Sequence, residues 1–222
     1  GIILMFCSTR LPETLTPENR IQKSIMQVYA NLFRVFRNRL FTLSTLAEMA
    51  CFFTFFAYIS SSPFILQQIY GLSPFHFSLC FALNALTIGI GAALGPQFKH
   101  TNTALKCGAI DFMIAAVCLS FSLYVHAHLV VVMGFYIYLM ISFGLMQPGL
   151  TATALDAERK NAGAASAIFG AAGFLAGAIS SPIVALGKIE VSSSIVMIAG
   201  ALLCLLLTLP LCKTLRGQGK KK

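Results

Sequence analysis

Glu48 is the residue of this chain best suited to chemistry. It lies about seven residues into an apolar stretch, roughly 10 Å along a helix. A carboxylate at that depth costs several kcal/mol unless it is protonated, paired or turned toward a cavity. A proton-coupling or cation-binding group would pass between those conditions; an inert acid would instead reach Arg37, Arg39 or the headgroups. Phe52, Phe55 and Phe56 share much of the Glu48 face at helical spacing. An acid among aromatic rings suits a greasy cation through charge attraction and cation–π contact, although packing alone also accounts for any one ring. Asn84, in a stripe with Thr87, Gly91 and Gly95, could bind a substrate or bond a neighbouring helix. Tyr136, Tyr138, Met140 and Gln147 form a similar set later in the chain. Asp111 lies at an inner depth like that of Glu48 and is expected to pair with Lys106 or Lys99.

These side chains require elements that hold them at membrane depth. Six apolar stretches do so, at 41–63, 74–97, 104–125, 128–150, 161–186 and 191–212. Each has about 20 or more residues, enough at about 1.5 Å per residue to cross a hydrocarbon core of about 30 Å. Arg10, Arg20, Lys23, Arg34, Arg37 and Arg39 precede the first stretch. Lys99 and Lys106 join the second to the third, and Arg159 and Lys160 join the fourth to the fifth. Lys213, Arg216, Lys220, Lys221 and Lys222 follow the sixth. Only Lys188 falls in the intervening connections, so the bases alternate as the positive-inside rule describes. A polytopic protein with both ends cytoplasmic is expected.

Composition agrees: the chain is 57% hydrophobic, with a mean hydropathy of +0.81, far from a soluble domain's balance. Its net charge of +9 fits an anionic inner leaflet better than nucleic acid, and no basic-aromatic nucleic-acid motif is present. The cysteines form no CxxC and read as small apolar filler, with no disulfide and no metal site expected.

Residues 1–7 read as the remnant of a preceding span, and the chain as a piece of a longer protein. Residues 8–40 read as a cytoplasmic linker. Within it, Thr16-Pro17-Glu18 starts a helix whose apolar positions Ile21, Ile25, Val28, Leu32 and Val35 would lie on the inner membrane face. Residues 41–212 would form the six-helix bundle and 213–222 a basic tail.

The prolines suggest a repeat. Pro63 and Pro148 sit late in the first and fourth spans, and Pro96 and Pro182 sit late in the second and fifth, at nearly the same offset. Gly89, Gly91 and Gly95 precede one of them; Gly170, Gly173 and Gly177 precede its counterpart. An offset of three spans reverses direction, so the expected architecture is all-α, with six transmembrane helices in two inverted three-helix units, as secondary transporters often are. Gly91, Gly95, Gly170, Gly173, Gly177, Pro148 and Pro182 are the expected packing or gating positions.

An enzyme reading fails at the residue level. AGAASAIFG at 162–170 resembles the serine helix of rhomboid intramembrane proteases, whose activating His comes from a later helix. Here His76, His100, His126 and His128 all precede Ser166. Neither a Walker motif nor HExxH appears.

LPETL (Leu11–Leu15), YISSSPFILQQIYGLSP (Tyr58–Pro74), PG with TATAL at 148–155, and NAGAASAIFGAAGFLAGAISSP (Asn161–Pro182) together resemble the C-terminal half of a major facilitator superfamily transporter of the Bcr/CflA drug:proton antiporter type. The resemblance covers essentially the whole chain. It implies spans seven to twelve of a twelve-helix protein of the bacterial inner membrane. It also implies export of drugs or other small amphiphiles in exchange for protons, with no cofactor beyond the proton gradient. The partners implied are the lipid bilayer, a small-molecule substrate and an N-terminal six-helix half. The connection GPQFKHTNTALK departs from the superfamily's Asp-Arg loop pattern. Glu48, Phe52, Phe56, Asn84, Tyr136 and Gln147 are the expected cavity residues, with Glu48 carrying the proton. A half without a pathway of its own, an interaction module and a metabolite importer are the competing expectations.

Overall fold

The computed structural model describes Phe6 and residues 35–219. The expected remnant span, apart from Phe6, and all but the last residues of the linker lie outside the described residues. Six helices follow: α1 (Arg39–Pro63), α2 (Pro74–Leu94), α3 (Thr101–Tyr124), α4 (Leu129–Ala157), α5 (Ala162–Val184) and α6 (Ile189–Gly219). Among the described residues there is no strand, and all six helices are long and apolar enough to cross a membrane.

Local chemistry sets the ends. Asn38 caps α1, its Oδ1 accepting from the Leu40 N–H at 3.1 Å. Its amide also donates to the Ala157 carbonyl at 2.8 Å and to Glu158 at 2.9 Å, so one side chain joins the start of α1 to the end of α4. Ser73 caps α2 with Pro74 in the first turn, where a missing N–H costs nothing. The first span outruns its expected limit. Pro63 does not stop it; a π-helical turn at Phe64–Ile69 carries it to Tyr70, whose N–H reaches the Ile65 carbonyl at 3.1 Å. Gly71 then adopts a φ of 69°, and Leu72 N–H returns to the Leu66 carbonyl at 3.0 Å. At the same end the Tyr70 hydroxyl donates to the Ala127 carbonyl at 2.8 Å. Burial, aided by Glu190, pushes that phenol above its usual value.

The packing obeys a two-fold rule. The largest interfaces are α1 with α6, α1 with α5, α2 with α4, α3 with α6, and α3 with α4; α1 also meets α4. Exchange of α1–α3 for α4–α6 maps this set onto itself: α1·α6 becomes α4·α3, α1·α5 becomes α4·α2, and α3·α6 and α1·α4 map onto themselves. The six helices are thus two inverted three-helix units that swap their second helices. The core lies among α1, α3, α4 and α6, around Phe41, Leu105, Phe112, Leu119, Met140 and Met197. Helices α2 and α5 lie outside it and show apolar faces through Leu83, Leu86, Phe174 and Leu175. Lipid solvates such faces as well as protein does.

Candidate functional site

Helix α1 buries a stripe of small and polar residues: Ser44, Ala47, Glu48, Cys51, Thr54, Tyr58, Ser61 and Ser62. Their spacing follows one helical face, and that face carries Glu48 into the bundle. Its side chain is 4% exposed. Gln147 of α4 is its polar neighbour, yet no well-formed hydrogen bond closes between them. Glu48 Oε2 and Gln147 Nε2 are both buried without a partner, as are Ser44 Oγ and Thr45 Oγ1 one turn away. The ion pairs among the described residues are His126–Glu190 and Arg159–Asp156. Glu48 therefore forms no ion pair with Arg37 or Arg39. Ser44 and Thr45 were not picked out from the sequence; their place one turn before Glu48 on its own face was the available signal.

Next along α1 stands a wall of rings. Phe55 stacks on Phe143 of α4 with centroids 4.6 Å apart, and Phe52 meets Phe143 edge-on at 5.5 Å. Phe52 and Phe56 also approach Phe174 of α5, at 6.5 and 6.1 Å. Phe52, Phe55 and Phe56 are half-buried, so the wall is partly open. Phe143 and Phe174 were not foreseen. Phe143 lies four residues before Gln147 and so shares its face.

Tyr58 organises a second polar group farther along. Asn84 of α2 donates to the Tyr58 hydroxyl at 2.9 Å, and Tyr136 of α4 packs against the same ring at 5.1 Å. Asn84 and Tyr136 are 1% and 0% exposed. Asn84 Oδ1, the Tyr136 hydroxyl and Ser62 Oγ have no partner. Buried polar atoms left this way cost free energy unless a water or ligand group meets them. The structure thus groups the expected residues in two clusters on α1, α2 and α4: Glu48 with Gln147, and Asn84 with Tyr136 around Tyr58. The phenylalanines stand on α1 between them.

The glycines act in two ways. A β-carbon at Gly95 would lie 2.9 Å from the Leu145 carbonyl oxygen and 3.6 Å from the Pro148 ring. Gly91 likewise rests on the Ile141 backbone, so α2 and α4 touch backbone to backbone. In the two-fold-related pair, Gly173 and Gly177 of α5 instead receive the Phe52 and Phe56 rings of α1. Gly170 has open space around it among the described residues; it lies one turn from Gly173, on the outward face. Pro148 and Pro182 both lie within continuous helices.

Asp111 is also corrected. It accepts a hydrogen bond from the Tyr138 hydroxyl across α3–α4 at 2.9 Å, and neither Lys106 nor Lys99 pairs with it. Tyr138 faces Asp111 across the packed α3 and α4, whereas Lys106, five residues away on the same helix as Asp111, lies on a different side of it. Cavities of about 580 and 600 Å³ open at the end bearing Arg159, Lys99 and Arg216, and one of about 300 Å³ at the other end beside Lys188. None of the three is lined by the grouped residues: the phenylalanine wall is half-buried, and the two polar clusters are buried within the bundle.

The profile of the Major Facilitator Superfamily matches residues 1–181. An uncharacterized MFS-type transporter of Bacillus subtilis (strain 168), YdgK, is 32% identical over 191 residues, which are 84% of this chain and 47% of the relative. The chain spans about half the length of that curated relative. Six membrane-length helices in a two-fold arrangement and the match across most of the chain agree: this integral membrane protein belongs to the Major Facilitator Superfamily.

Proposed function

We propose that this chain forms one half of a secondary transporter that exports small amphiphiles in exchange for protons, as Bcr/CflA-type antiporters do. The half stands in a bacterial inner membrane with its basic end toward the cytoplasm. Helices α1, α2, α4 and α5 face a pathway shared with a second six-helix half. Glu48 exchanges the proton, the Phe52–Phe56 wall receives the apolar body of the substrate, and Asn84 and Tyr136 meet its polar groups.

The observation that supports this most is the environment of Glu48. It is buried beside Gln147 with no cationic partner among the described residues, one turn from a partly open aromatic wall. A carboxyl so placed gains most from a change that admits water or a cationic substrate, because either lowers the cost of its charge. Alternating access supplies that change. A proton arriving from one side then displaces the cation, which couples the two fluxes.

The test is proton-gradient-driven accumulation of ethidium, as a probe amphiphilic cation, inside everted vesicles of cells expressing the whole gene. Glu48→Gln should abolish pH-gradient-driven movement while the protein keeps its membrane yield and melting temperature. Unchanged flux in that variant removes Glu48 from the mechanism. No ethidium flux in the wild type, with metabolite uptake in its place, would assign an importer.

A further inference from the structure

Cys51 of α1 and Cys204 of α6 bring their Sγ atoms to 3.2 Å across 153 residues of chain. Both thiols are fully buried and free. Their approach follows from the helix crossing. Gly200, one turn before Cys204, lets α6 settle on α1, since a β-carbon there would lie 3.1 Å from the Ala50 carbonyl oxygen and 3.0 Å from the Thr54 amide nitrogen. Thr54 fixes the register by donating to the Met197 carbonyl at 3.1 Å. Cys51 falls between Ala50 and Thr54, so its sulfur is pinned opposite Cys204.

We propose that Cys51 and Cys204 are a disulfide-forming pair, a modification site that staples α1 to α6 when a membrane-soluble two-electron oxidant of the quinone class reaches it. The sequence, with no CxxC, points to filler instead; the pairing is tertiary. Closing the bond requires the sulfurs to move together by about 1.2 Å, from the observed 3.2 Å to about 2.0 Å. That is within the reach of a side-chain rotation. The balance is simple. The two S–H bonds break, one S–S bond forms, and two electrons and two protons pass to the quinone, which leaves as hydroquinone. A lipid-soluble oxidant is the fitting class because the pair lies within the spanning parts of both helices, away from aqueous glutathione. The staple falls one turn from Glu48, on the same face of α1, so it fixes the helix that carries the buried acid.

The experiment treats the full chain, in membranes, with duroquinone or diamide, blocks remaining thiols under denaturing conditions and maps linked peptides by mass spectrometry. A peptide joining residues 51 and 204, 2 Da lighter than the sum of its reduced parts, is expected in the wild type. Dithiothreitol should cleave it, and Cys51→Ser and Cys204→Ser should each abolish it. The oxidised wild type should also melt at a higher temperature than the reduced form, a shift absent from both serine variants. Full alkylation of both thiols after oxidant, under conditions that crosslink a control thiol pair in the same membranes, overturns the proposal. A 51–204 link with no change in melting temperature overturns the staple.

Discussion

The carbonyl of Ile88 in α2 lies where a side chain on Gly144 of α4 would have to stand. A β-carbon at Gly144 would also meet the Ile88 carbonyl carbon at 2.9 Å and the Ala92 amide at 3.1 Å. Backbone cannot swing aside as a flexible side chain can. Gly144→Ala should therefore force α2 off α4 and cost about 1–3 kcal/mol, as overpacking does. Thermal denaturation in detergent measures this. Gly170→Ala is the matched comparison: nothing lies near its β-position, and the change should be neutral or stabilising by up to about 1 kcal/mol through helix propensity.

Tyr58 gives Asn84 its hydrogen-bond acceptor. Tyr58→Phe keeps the ring packing against Phe81 and Tyr136 but strands the buried amide. A loss of about 1–3 kcal/mol is expected, the cost of a buried polar group left unpaired. Asn84→Leu in the Tyr58→Phe background should recover part of it. A double-mutant cycle on melting free energy decides the matter, and strict additivity would show that the bond contributes nothing.

The Tyr138–Asp111 bond makes a separate test of the α3–α4 interface. Tyr138→Phe removes the donor and should cost more than Asp111→Asn, which keeps a carbonyl acceptor on the same side chain. If Lys106 or Lys99 were the true partner of Asp111, the order would reverse.

Gly177→Ala presses directly on the Phe56 ring. The ring must move, because the opposing contact is a side chain and α5 is a continuous helix. Efflux of ethidium should fall while stability changes less than in Gly144→Ala. Adding Phe56→Leu should return part of the stability, as a smaller side chain leaves room for the new methyl group.

What the sequence conveyed best was what depends on one helix at a time. Span lengths, the alternation of Lys and Arg, and the offset of Pro63 and Pro96 to Pro148 and Pro182 follow from hydropathy and local geometry. Glu48 and Gln147 were both marked as polar groups in apolar spans, and the structure sets them side by side. What stayed hidden depends on how helices turn toward one another. Asp111 was matched to bases near it in sequence, but a residue on a helix reaches sideways to its packing partner, here Tyr138 on α4. Gly170 was grouped with Gly173 and Gly177 by composition, although its position leaves it facing outward. Tyr58, the hub of the second polar group, is not singled out by the sequence. Its bond to Asn84 is 26 residues away, and only the α1·α2·α4 packing reveals it. Hydropathy ends the first span at residue 63, but hydropathy does not foretell the π-helical turn that carries the helix through Phe64–Ile69.

The two second helices of the repeat are held by unlike materials. Where α2 meets α4, main chain bears on main chain, and the spacing is set by atoms that cannot rotate away. Where α5 meets α1, phenyl rings bear on bare glycine, and rings can roll along such a track. Descent from one ancestral unit would make these the same joint, since divided into a weld and a bearing. The consequence is an unequal pair of joints: yielding between helices is expected at the ring-on-glycine contact of α1 with α5 before the backbone contact of α2 with α4.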